Sequence, residues 1–354
     1  MAAVVLFIVL QVVVRRSRGK PPTVRLKSEA EIANIAASRD SYPCLLVERS
    51  GQDLRANIST CLPALHNDSA IEQYEVDLRS GRFTLRQTDL LVADSMPLAL
   101  TRGYRLWDDK SRAFGIGGNH PYDIFPYGDR FPYTYMELLL GDGVTVHYDR
   151  ISEGTSYIDN VEEHRGTNDT VFQNSKIAWN HDHWDMTFRD GTLYRFPEAY
   201  HAKRGVDGAL VCMRSPRGEE IHFVRDAVHN LKSIASPGAH RIQFSYDESN
   251  RIVEAWDDAG DRVGYSYDPR GRLMEVRKNG KLLWRYSYDE TGMTSVETGA
   301  KESVLVNRFL RGRIGTVIIG KGRMFRFDYL FGPNKRVLET RVIDPEGKKT
   351  VFKF

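Results

Sequence analysis

Cysteine is scarce in this chain, at 3 of 354 residues, which leaves room for a single disulfide at most. Charge of one sign is also missing. The 50 basic and 47 acidic residues are spread along the sequence and leave a net charge of +3. Nucleic-acid binding normally leaves a concentrated basic stripe, so a nucleic-acid partner is excluded. Catalytic signatures are absent too: there is no Gly-x-Ser-x-Gly, no cysteine with a flanking motif and no paired-carboxylate pattern. Gly115-Ile116-Gly117-Gly118 has the look of a phosphate loop. It lacks a following Lys-Ser/Thr and any helix to supply amides, and reads as a tight turn. His181, Asp182 and His183 sit in WNHDHWD, where alternation on a strand would put both histidines on one face. No third ligand of compatible spacing accompanies them, so Asn180-His181-Asp182 reads as a hairpin turn. No catalytic residue, cofactor or metal is therefore expected.

Long apolar runs are nearly absent as well. The one exception, AAVVLFIVLQVVV at 2–14, is followed directly by RRSRGKPP. As a helix it would rise about 20 Å, short of the roughly 30 Å hydrocarbon core. It lacks a charged leading region and a small-residue cleavage site, which makes it a poor signal peptide. The readings are a short or start-truncated membrane anchor, an export segment or a buried strand, and the anchor is favoured. Arg15, Arg16, Arg18 and Lys20 would hold the following chain in the cytoplasm. Cys44 and Cys61 pull the other way, because they read equally as an exported disulfide or as two unrelated buried thiols. Cys212, in ALVCMRS, reads as core. Localisation is thus expected at a membrane through residues 2–14, with the side left open.

What the chain has in abundance is Gly (29), Tyr (17) and Phe (16), as turn-rich sheet with aromatic cross-strand pairs requires. A tyrosine-aspartate step recurs at a fixed interval. FSYDESNRI, YSYDPRGRL and YSYDETGMT place Asp247, Asp268 and Asp289 twenty-one residues apart, and Asp226 lies a further twenty-one upstream. A period in this range marks a stacked repeat architecture. Ile242, Phe244 and Tyr246 alternate with polar residues, as in a half-buried strand. Each aspartate then opens a turn that ends near Asn250, Gly271 or Gly292, where Asn or Gly tolerates positive φ. Strand, turn, strand, turn at this spacing predicts antiparallel hairpins. A lone hairpin is marginal, so the units must stack. Tyr246, Tyr267 and Tyr288 are expected to be buried and stacked on one another.

These residues resemble the Rhs/YD-repeat family, whose consensus is roughly Tyr-x-Tyr-Asp-x-x-Gly-Arg-Leu. YSYDPRGRLMEV at 265–276 fits almost position for position. Degenerate copies, among them WDMTFRDGTLYRF and NKRVLETRVIDPEGKKTVFKF, extend the likeness over about 179–354. The stretch before it resembles the module that commonly precedes such repeats, through VDLRSGRFTLRQTDL at 76–90, LALTRGYR at 98–105, FGIGGNHPYDIF and YMELLLGDGVTVHYD. The resemblance implies curved sheet of the kind that, in bacterial polymorphic toxin systems, winds into a hollow shell around a toxic C-terminal polypeptide. Such shells use more repeats and end in a DPxGxxxGxN-like self-cleavage segment. Asp344-Pro345-Glu346-Gly347 matches its first half and equally an ordinary repeat turn.

The expected fold is all-β: a curved antiparallel sheet of stacked YD-repeat hairpins, a short apolar N-terminal helix and one small helix. The small helix falls at 28–40, where Ser28 and Glu31 form a capping box. The expected organisation is an anchor and basic linker at 1–27, a mixed region at 28–73, a β module at 74–178 and repeats at 179–354. The functional expectation is a non-enzymatic, membrane-associated structural or interaction module, a reduced relative of toxin-encapsulating shells. The alternative is a cell-surface carbohydrate-binding or adhesion protein. The aromatic-rich 114–135 would then stack on sugars or a protein partner, instead of capping the sheet.

Overall fold

The computed structural model describes residues 42–50, 53–61, 72–141, 143–166, 170–199 and 205–354. Both expected helices, at 2–14 and 28–40, lie outside these residues. Among the described residues the only helical turns are short 3-10 turns at Gly205–Gly208 and Pro333–Lys335. None of their helices is long and apolar enough to cross a membrane.

Two antiparallel sheets make up nearly everything else. The first has six strands, in the spatial order Asp53–Cys61, Tyr42–Ser50, Glu72–Asp77, Phe83–Val92, Leu98–Arg105 and Gly118–Asn119. Its first hairpin lies in the stretch read as mixed. Pro43, Cys44 and Leu45 are buried in succession, so the strand carries no clean two-residue alternation to announce it. Tyr42 pairs with Cys61, and a disulfide joins Cys44 to Cys61 with their Cα atoms 5.9 Å apart. That resolves the two readings of these cysteines.

The second sheet holds twenty-one strands, from Phe125–Gly128 to Lys349–Lys353, each hydrogen-bonded to the next in sequence. The pairing runs without interruption through residue 178, and the change of sheet falls between Asn119 and Phe125. Strand pairing therefore divides the chain earlier than the repeat pattern does.

Curvature follows from a repeated defect. The ladder slips by one residue at Val224/Arg225, Ser245/Tyr246, Ser266/Tyr267, Ser287/Tyr288 and Arg308/Phe309, again every twenty-one residues. A bulge leaves one extra residue on one strand, which bends it and raises its twist. Placed at the same point of each hairpin, the bends add up and the sheet wraps around the first one. Tyr122 packs on Phe223 at 5.0 Å between ring centroids, and Thr340 Oγ1 donates to the Leu78 carbonyl at 2.6 Å. The buried side chains of both sheets belong to one continuous hydrophobic core.

Candidate functional site

Each repeat turn is built by its aspartate. Oδ1 of Asp226 accepts from the amides of Val228 and Asn230, Oδ1 of Asp247 from Ser249 and Arg251, and Oδ1 of Asp268 from Arg270 and Arg272. Asp289 accepts from Thr291 and Gly292, one residue tighter. Gly271 has φ +84°. Gly292 does not have positive φ. A Cβ there would meet Leu106 Cδ1 at 2.3 Å, so this glycine admits the neighbouring sheet. Asp344 makes the same kind of turn, with Oδ1 accepting from Glu346 and Lys348. Of Gly115-Ile116-Gly117-Gly118 only Gly117 is a turn residue, between the short strands Gly115–Ile116 and Gly118–Asn119, and the Ile116 amide donates to the Gly271 carbonyl at 3.0 Å.

The tyrosines differ from expectation. Tyr246, Tyr267 and Tyr288 are half-buried, and no ring contact joins them to one another. Their hydroxyls instead donate to carbonyls fifteen residues back, on Leu231, Ile252 and Leu273, at 2.5–2.8 Å. Tyr329 does the same to Ile314. Two of the ring faces carry arginines from the preceding turn, Arg251 over Tyr267 at 4.5 Å and Arg272 over Tyr288 at 4.7 Å. Those arginines also grip Asp247 and Asp268 through Nε at 2.8 and 2.7 Å. One arginine thus closes its own turn and covers the next repeat's tyrosine. The residues that fill the core are the first aromatics of each motif: Phe223, Phe244, Tyr265 and Tyr286.

Two measurements check this coupling. Tyr288→Phe removes only the hydroxyl and leaves the Leu273 carbonyl unpaired, so stability should fall by about 1 kcal/mol in denaturant unfolding. No loss at all would mean that water satisfies the carbonyl equally well. The second concerns acid. Burial raises the Asp247 and Asp268 carboxyls, but hydrogen bonds from Arg251, Arg272 and the turn amides outweigh it and hold both below the usual carboxylate range. Such groups stabilise the fold above the unfolded value near 3.9, and that contribution is lost as pH falls through the depressed folded value. The Asp247→Asn/Asp268→Asn variant should therefore lose less melting temperature than the parent between neutrality and about pH 3. Parallel curves would contradict it.

Sequence reasoning missed the buried polar network between the sheets. Arg102, on strand Leu98–Arg105, is 2% exposed. Its Nε donates to Asp89 Oδ2 at 2.7 Å, and its Nη2 donates to Gln87 Oε1 at 2.7 Å and to the Tyr286 hydroxyl at 2.5 Å. Tyr265 donates to Asp89 Oδ2 at 2.9 Å and Tyr286 to Gln87 Oε1 at 2.5 Å. Gln87 reaches Tyr74, which donates to Glu72. Burial opposes charge on Arg102, but the Asp89 carboxylate more than restores it, and the guanidinium stays protonated. The repeat tyrosines thus receive the first sheet through a buried ionic clamp, all of whose bonds to Asp89 fall on Oδ2. Its only sequence signal was the Arg102-Gly103-Tyr104 step of LALTRGYR.

Two family models match on either side of this clamp. Residues 218–342 match the teneurin YD-shell, and residues 73–148 match a domain of unknown function, DUF6531. Over 73–148 and 218–342 these matches support an Rhs/YD-repeat family member. Over residues 218–342 the chain is thus similar to a YD-shell module. None of the curated proteins matches the chain. Among solved structures, the crystal structure of TcdB2-TccC3 is 12% identical with a TM-score of 0.26, covering 78% of this chain and 15% of that one. The Photorhabdus luminescens Tc holotoxin pore is 13% identical with a TM-score of 0.25, covering 78% and 14%. Scores this low carry no weight for architecture or role, and this Rhs-type chain spans under a fifth of either structure's length.

Proposed function

We propose that this Rhs/YD-repeat chain is a non-enzymatic structural and interaction module whose concave face is filled by its own N-terminal sheet. The observation that carries this reading is the Arg102–Asp89 clamp on Tyr265 and Tyr286. The space that a hollow shell would give to cargo is taken here by residues of the same chain. The strongly perturbed polar groups in it are paired with each other, as in a scaffold, and are not presented to a substrate.

A peptide reporter appended after Phe354 tests the idea. Under limited proteolysis the tail should be cut at the rate of free peptide while the body stays intact. A tail protected for as long as the body stays folded would show that the module encloses polypeptide and would sink the reading. Membrane attachment through residues 2–14 rests on their apolar character. Fractionation of the intact chain and of one starting at Lys20 should place only the former with membranes; if both stay soluble, the attachment reading fails.

A second reading, carbohydrate binding, is favoured by one observation. Tyr133, Tyr157, Trp179 and Trp184 form a chain of rings with centroids 5.2–6.1 Å apart, and Tyr157 is exposed. Stacking on sugar faces suits such a run. Glycan-array binding by residues 28–354, lost in Trp179→Ala, would support it, and a blank array would remove it.

A further inference from the structure

We propose that Cys212, Glu220 and His222 form a binding site for a thiophilic divalent cation of the zinc class, on the outward face of the large sheet. Strands Cys212–Arg214 and Glu220–Arg225 are antiparallel, with Cys212 opposite His222 and Arg214 opposite Glu220. The two-residue period puts Glu220 and His222 on one face, and the cross-strand position adds Cys212 to it. Met213 and Ile221, on the opposite face, are buried in the core.

One ligand atom from each of the three residues lies within 4.8 Å of the other two. His222 Nε2 and Glu220 Oε2 are already 3.1 Å apart. The remaining carboxylate oxygen, Oε1, accepts from Arg214 Nε at 2.6 Å, which orients the carboxylate as a second-layer partner would. Cys212 is a free thiol and is 4% exposed. Burial, and then the Glu220 carboxylate, push it up to about 11, so the thiol holds its proton until a cation displaces it. Thiolate, imidazole and carboxylate together select zinc and its neighbours over magnesium or calcium. Half-exposed His222 leaves room for water as a fourth ligand.

Two cations flank the site and are compensated. Arg195 lies opposite Cys212 on the other side and is paired to Asp185 at 2.9 Å, and Arg214 is paired to Glu220. The competing description is a surface Arg214–Glu220–His222 ion cluster beside an inert core thiol.

Cobalt(II) separates the two descriptions. Cys44 and Cys61 are joined, so Cys212 is the sequence's one free thiol and any thiolate-to-cobalt charge-transfer band reports on it alone. Titrating the purified full chain with cobalt(II) should raise that band to saturation at one equivalent, and zinc should quench it. Cys212→Ser and His222→Ala should each abolish it. His222→Ala should also weaken zinc binding by at least the roughly 10–100-fold that a lost outer-shell partner costs. His222 is exposed, so its replacement leaves the fold intact and keeps the test valid should Cys212→Ser misfold. A missing band at saturating cobalt, cobalt bound without a band, or a band unchanged in His222→Ala would each overturn the site.

Discussion

Arg102→Ala should lower the unfolding free energy by about 3–5 kcal/mol, the usual result of removing one partner of a buried ion pair. The substitution leaves the Asp89 carboxylate in the core with only the Tyr265 hydroxyl, and its Oδ1 already has no partner among the described residues. Gln87 and Tyr286 lose their shared donor in the same step. Urea unfolding reads the loss directly. A triple change, Arg102→Met with Asp89→Leu and Tyr265→Phe, should recover most of it, because replacing a whole buried pair by apolar groups is often neutral. A loss under about 1 kcal/mol for Arg102→Ala would mean that water or a shifted strand satisfies Asp89, and that the clamp does not hold the sheets together.

Tyr265→Ala should cost a similar amount, about 3–5 kcal/mol, as other large aromatic deletions from cores do. Tyr265 is 6% exposed, packs on Phe114 at 4.9 Å and donates to Asp89. Tyr267→Ala should cost less, because that ring is half-buried and its arginine cover can follow it. The ordering is the informative outcome. If Tyr267→Ala proves the more damaging, the outer arginine-tyrosine ladder holds the repeats together and the inner aromatics only fill space. Tyr265 and Arg102 share Asp89, so their effects should not add in the double variant.

Local signals and their failures had separate causes. The repeat turns were legible because an aspartate that accepts amides two to four residues on is a local device, visible in Asp247-Glu248-Ser249-Asn250 without any knowledge of neighbours. The burial of the tyrosines was misjudged because of the bulge. Ile242, Phe244 and Tyr246 alternate evenly in the sequence, so all three read as one face. The slip between Ser245 and Tyr246 turns the last one partly out, and a period-2 count cannot register an extra residue on one strand. The strand Tyr42–Ser50 was missed because both its faces are covered along part of its length. Arg102 was missed because an arginine in a strand ordinarily reads as solvent-facing, and its aromatic partner lies 184 residues away.

The twenty-one-residue period, the antiparallel hairpins and the aspartate turns were determined by the sequence alone, since each depends on residues within one or two strands of each other. Three things were decided only by the tertiary structure: which aromatic of each motif faces inward, that Cys44 meets Cys61, and that the chain's own first sheet packs against the second. All three depend on contacts between distant segments, where bends accumulated over many strands bring side chains together. A buried charge is tolerated there only because its partners arrive from the opposite sheet.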